Sequence, residues 1–152
     1  MPGALTAVLV QKLSKNNQLD QDDVLAIQAL PIHSKRVPAD HRFVRDGDRP
    51  SESCLIIDGF AFRSKLTPDG QRQILSLHIP GEIPDLQSLH LHVMDHDLTT
   101  LTECTLGFIK HDALRELNQK RPNVAAALWR ETLIDSAIFR EWIVNVGRRP
   151  AR

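Results

Sequence analysis

Three short strand-like runs, joined by tight turns and closed by a Pro-Gly corner, lie between Cys54 and Asp85 and restrict this chain to a small set of β architectures. The runs occupy residues 54–57, 60–66 and 71–79, separated by Asp58-Gly59 and by Pro68-Asp69-Gly70. An Asp-Gly pair supplies the positive φ of a tight hairpin turn, so each run is predicted to pair antiparallel with the next. The third run ends at Pro80-Gly81-Glu82-Ile83-Pro84-Asp85. Glycine followed by an acid at such a corner is where backbone can approach a ligand closely.

The flanking segments extend the pattern. Asp20 is placed to cap a second helix, with Asp22 and Asp23 in its first turn and Pro31 as its stop. Val24, Leu25, Ile27 and Leu30 are expected to face a core. Strands are predicted at residues 32–37, 42–45 and 104–109, and many short strands with Gly, Pro and Asp turns imply a sandwich or roll. Beyond Ile109 the periodicity turns helical, with Asp112 as the cap of a short helix through Lys120 and Pro122 in the first turn of a long one.

That last helix, about 122–146, is apolar on three lines: Leu128, Phe139, Ile143 and Val146; Leu133, Ala137 and Val144; Ile134, Ile138 and Trp142. A helix apolar on several sides is buried on several sides, either in its own core or against a partner. At ~1.5 Å rise per residue it outruns what a small roll covers, which favours a partner subunit.

With 152 residues, 41% of them apolar and 25% charged, the chain suits one compact domain with a real core. Its 19 basic residues equal its 19 acidic ones, so no overall field draws it to nucleic acid or an acidic membrane. Cys54 and Cys104 sit inside apolar runs and behave as small hydrophobes, which fits a reducing cytoplasm. The N-terminus lacks the basic stretch of a signal peptide, and no apolar run reaches the ~20 residues of a membrane span.

Two short helices, a roll, the Pro80-Gly81-Glu82-Ile83 corner, a further strand and a long last helix together resemble the sensor domain of the bacterial Crp/Fnr superfamily of transcription regulators. The most specific stretches are Asp58-Gly59, the run from Pro68 to Leu75, Pro80 to Ile83, Trp129 to Leu133, and Phe139 to Trp142. The resemblance implies a mainly β fold with flanking helices, a double-stranded β-helix (jelly roll or β-roll) followed by a long C-terminal α-helix. It implies a sensor roll at 1–120, a dimerisation helix at 121–148 and, at 149–152, the stub of a missing helix-turn-helix domain that would carry DNA binding. A homodimer is expected through Leu128, Thr132, Phe139, Ile143 and Val146.

In nucleotide-binding members of that superfamily, a Gly-Glu corner and a later Arg-Ser or Arg-Thr pair surround the phosphate. Gly81 and Glu82 match the corner, and the Glu is suited to a ribose hydroxyl. The remainder departs: Pro84 removes an N–H and residues 95–100 hold no Arg. Asp95 and Asp97 there would repel phosphate; a unit charge pair ~4 Å apart is worth about 4 kcal/mol at an effective dielectric of ~20. The expected effector is therefore an unidentified small molecule other than cyclic AMP, in a pocket of Gly81, Glu82, Ile83, Asp85, Thr99 and Thr100.

His90, His92, Asp95 and His96 suggest an alternative, a stand-alone cupin-like metalloprotein or isomerase, but their spacing does not match the cupin motif. Two strand cysteines cannot supply an iron–sulfur site, and no nucleophile–base pair or phosphate loop is evident. The sequence reading assigns no metal, no cofactor and no catalytic residue.

Overall fold

The computed structural model describes residues 2–150; the last two positions of the expected stub, 151–152, lie outside the described residues. Helices α1 (Pro2–Ser14) and α2 (Gln21–Gln28) precede the strands β1 (Ile32–Val37), β2 (Arg42–Val44), β3 (Glu52–Asp58), β4 (Ala61–Leu66) and β5 (Arg72–His78). A one-turn helix α3 (Ser88–Leu91) then separates β5 from β6 (Asp97–Thr100) and β7 (Cys104–Lys110), after which come α4 (His111–Lys120) and α5 (Pro122–Gly147).

The start of α2 is fixed by a capping box: Asp20 accepts the Asp23 N–H at 2.7 Å, and Asp23 accepts the Asp20 N–H at 3.0 Å. Asp23 is fully buried, whereas Leu25, expected in the core, is 53% exposed. The helix turns its acid inward because Arg121 and Asn123 reach that carboxylate from the start of α5. Burial works against the ionised form, but these donors hold Asp23 below the usual carboxylate range. Asp112 lies in the first turn of α4 and does not cap it; Lys110 occupies the cap position.

The strands form two antiparallel sheets, ordered β1-β7-β3 and β2-β6-β4-β5. The hairpin expected at Asp58-Gly59 is absent, because β3 pairs with β7 while β4 pairs with β5 and β6. The turn instead carries the chain from one sheet to the other. Gly59 has φ +90°, and a Cβ there would lie 2.4 Å from the Glu103 carbonyl oxygen, so this crossing needs glycine for conformation and space alike. Pro68-Asp69-Gly70 does join an antiparallel pair, β4 and β5. Strand β6 was not anticipated; residues 97–100 pair with β2 and β4, both remote in sequence.

The sheet β1-β7-β3 has cores on both faces. Leu55 and Ile109 pack with Leu9, Leu13, Ile27, Leu114 and Val124 of the helical layer, while Cys54, Ile56, Cys104 and Leu106 point into the roll. A strand buried on both faces reads as a continuous apolar run, which is what residues 54–57 show. Both cysteines are buried free thiols.

Candidate functional site

The corner after β5 is stitched into the fold by backbone. Gly81 N–H donates to the Ile56 carbonyl at 2.8 Å, and Ile56 N–H donates to the Glu82 carbonyl at 3.0 Å. Gly81 has φ +93°, and α1 crosses so close that a Cβ would lie 2.8 Å from the Lys12 side chain and 2.9 Å from the Val8 carbonyl. Glycine is thus required here by helix packing.

Between this corner, α1 and α5 lies a cavity of about 460 Å³. Its ionisable lining is Lys12 from α1, Arg63 from β4, His78 from β5, Glu82 from the corner, and Glu131 and Asp135 from α5. Glu82 Oε2 accepts the Ile79 N–H at 3.0 Å, and its Oε1 lies 3.2 Å from His78 Nδ1. Burial pushes Glu82 up, yet these hydrogen bonds and the Lys12 charge leave its carboxyl below the usual range. The far side of the imidazole, Nε2, is 2.8 Å from the buried Ser76 hydroxyl.

Arg63 joins the roll to α5. Its side chain is 6% exposed; Nη1 lies 3.4 Å from Asp135 Oδ2, Nη2 donates to the Pro84 carbonyl, and the guanidinium stands 5.0 Å from the centre of the Phe139 ring. A register shift in the β4–β5 ladder falls at Arg63 and Ser64, and four consecutive β4 residues from Ala61 are buried. Such an irregularity re-aims side chains next to a site. Sequence reasoning did not single out Arg63, His78 or Asp135. The available signal was strand alternation, which puts Arg63 on the same inward face as Ala61.

The expected pocket residues do not all meet. Gly81, Glu82 and Ile83 line the cavity. Asp85 lies behind it, fully buried, accepting the Cys54 N–H at 2.8 Å, and burial pushes its carboxyl up to about 7. Thr99 faces a separate hollow with Asp40, Arg42, Arg72 and Asp97. The Thr100 hydroxyl accepts the His41 N–H and donates to the Pro38 carbonyl, tying down the 38–41 turn.

The residues expected to dimerise divide as well. Leu128 is buried in the chain's own core, Thr132 lines the cavity and Phe139 sits under Arg63, whereas Ile143 and Val146 are 70% and 65% exposed. His90 and His92 are exposed, while His96 is buried with Nδ1 2.8 Å from Asp95 Oδ1, so the histidine group does not converge on one point.

Two sheets closed into a roll, with a glycine corner packed beneath α1 and a long helix at the end, match a known domain: residues 34–121 align with the cyclic nucleotide-binding domain family. The chain belongs to this family. It is 24% identical over 136 residues to the transcriptional activator protein FnrL of Cereibacter sphaeroides, covering 88% of this chain and 52% of that protein. It therefore spans about half the length of the curated relative it matches. Among solved structures, FixK2 from Bradyrhizobium japonicum superposes with a TM-score of 0.72 at 19% identity, over 80% of this chain and 60% of that one. A cyclic nucleotide-binding domain from Methylobacillus flagellatus gives 0.77 at 16% identity, over 97% and 85%. The fold is the mainly β roll with flanking helices and a long C-terminal helix, and the sequence relationship is to Crp/Fnr regulators. No described helix is long and apolar enough to cross a membrane.

Proposed function

We propose that this chain is the effector-sensing and dimerisation part of a Crp/Fnr-type transcription regulator of the cytoplasm, without catalytic activity of its own. DNA contact is assigned to the other half of such a regulator. The observation that carries the reading is Arg63, a buried cation held by the 81–85 corner on one side and by Asp135 and Phe139 of α5 on the other. A molecule entering the cavity must change this contact to act. An effector shifts helix position only to the extent that it binds one arrangement better than the other.

The effector differs from cyclic AMP. Three carboxylates face the cavity against two fixed cations, and no arginine occurs between Arg72 and Arg115 to hold a phosphate. Calorimetric titration with cyclic AMP is expected to show no binding tighter than about millimolar, equivalent to about 4 kcal/mol. A micromolar dissociation constant would contradict this part of the reading.

The dimer face consists of Trp129, Leu133, Ala137, Ile143 and Val144, on the side of α5 turned away from the roll. Trp129 and Leu133 are 69% and 56% exposed, and side chains four and seven residues apart repeat along one helix face.

The Arg63 link is tested by amide exchange. Arg63→Met is expected to accelerate exchange at least tenfold in residues 134–146 while leaving β3 and β7 protected. Unchanged exchange along α5 would remove the coupling between roll and helix.

A further inference from the structure

We infer that the cavity between the corner and α5 binds one divalent transition-metal ion, of the Zn²⁺ class, through His78, Glu82 and Asp135. The inference rests on the sensor reading for its role, since it names the kind of effector that this cavity takes. One ligand atom from each of the three residues lies within 4.8 Å of the other two. Donors bound at ~2.0–2.2 Å around a tetrahedral ion stand about 3.3–3.6 Å apart. The 3.2 Å between His78 Nδ1 and Glu82 Oε1 is close to that spacing, so only Asp135, on α5, has to close in.

The surroundings of each donor fit a ligand role. Ser76 Oγ lies 2.8 Å from His78 Nε2, where it can accept that N–H once an ion takes the place of the Nδ1 proton shared with Glu82. Metal-bound imidazoles are commonly oriented by such a second hydrogen bond. The Ile79 N–H holds Glu82 Oε2 and turns Oε1 inward. A His78–Glu82 strut by itself would account for these two residues, but it leaves the α5 carboxylates unexplained.

Glu131 supplies an independent observation. It projects into the same cavity one helical turn before Asp135, its Oε1 is buried with no hydrogen-bond partner among the described residues, and Lys12 reaches only Oε2, at 3.9 Å. Burial pushes the Glu131 carboxyl up, Lys12 offsets part of this, and Glu82 and Asp135 push it further. A buried acceptor without a donor, facing two more carboxylates and an imidazole, is matched by a cation. Mixed nitrogen and carboxylate donors select ions of the Zn²⁺ class over Mg²⁺, which favours oxygen and retained water. Because the donors come from β5, the corner and α5, the ion would draw the helix onto the roll at the place where Arg63 already touches it.

The test is calorimetric titration of the chelator-treated protein with Zn²⁺ and, separately, Mg²⁺, alongside Asp135→Asn, Glu82→Gln and the double variant His90→Ala, His92→Ala. Asp135 is partly exposed, so Asp135→Asn should keep the fold, checked by far-UV circular dichroism. One Zn²⁺ per chain at micromolar or tighter affinity is expected, weakened at least tenfold by Asp135→Asn and by Glu82→Gln, unaffected by the double variant and not reproduced by Mg²⁺. Absence of saturable Zn²⁺ binding, equal binding by Asp135→Asn, or loss of binding in the double variant would overturn the site. Such a failure beside intact Arg63-dependent exchange in α5 removes the metal alone, whereas loss of that coupling removes the sensor reading beneath it.

Discussion

The two halves of α5 have similar apolar content but opposite surroundings. In the first, Val124, Ala127 and Leu128 are buried against α1, α2 and α4; in the second, Ile143, Val144 and Val146 lie in the open. One half is apolar because the chain's own core covers it. The other meets the roll at Asp135 and Phe139, and its last apolar residues have no described part of this chain above them. The difference shows that an all-round apolar helix can be a composite of core and interface, and that burial on the fold separates the two.

The largest expected effect lies in the covered half. Leu128→Ala should cost about 2–5 kcal/mol in urea unfolding, as for other buried leucines, while Ile143→Ala should stay within about 0.5 kcal/mol in the dilute monomer. Equal costs at the two positions would break the comparison.

A middle-sized effect comes from the corner beneath the covered half. Asp85 binds its proton more tightly in the folded chain than in the unfolded one, with a folded value of about 7 against 3.8. Its contribution is therefore fully present below pH ~4 and is lost as pH rises through ~7. His96 and His111, held below their usual value chiefly by burial, act in the opposite sense, so the variant difference is the proper readout. Asp85→Asn, which can still accept the Cys54 N–H, should gain about 2–3 kcal/mol relative to the parent between pH 5 and pH 8. A constant difference across that range would show that Asp85 is ionised throughout.

Local chemistry made much of this fold legible. The Asp20 cap, Pro122 in the first helical turn, the Pro68-Asp69-Gly70 hairpin and the Gly81 corner each act within a few residues of themselves, and each lies where the sequence places it. The sheet partners were less legible because pairing is non-local. Asp58-Gly59 has the chemistry of a hairpin, but the strands after it close the second sheet, and residues 97–100 become a strand only because β2 and β4 flank them. Leu25 and Asp23 exchange their expected environments through Arg121, 98 residues from Asp23.

At the site, Gly81, Glu82 and Ile83 were visible as a corner, whereas their partners Arg63, His78 and Asp135 lie on two strands and a helix that only the closed roll brings together. Thr99 and Thr100 follow the corner in sequence but face other parts of the roll. Adjacency along the chain was a poor guide to adjacency around the cavity.

The account turns on the uncovered face of α5, from Trp129 through Leu133 to Val144, being an interface between two copies of the chain. Sedimentation equilibrium of the parent beside Leu133→Asp tests this most directly. The parent should be a dimer at tens of micromolar, and Leu133→Asp a folded monomer with an unchanged urea midpoint when both are diluted to monomer. A parent that sediments as a monomer at that concentration, or a Leu133→Asp variant that remains dimeric, would contradict the account.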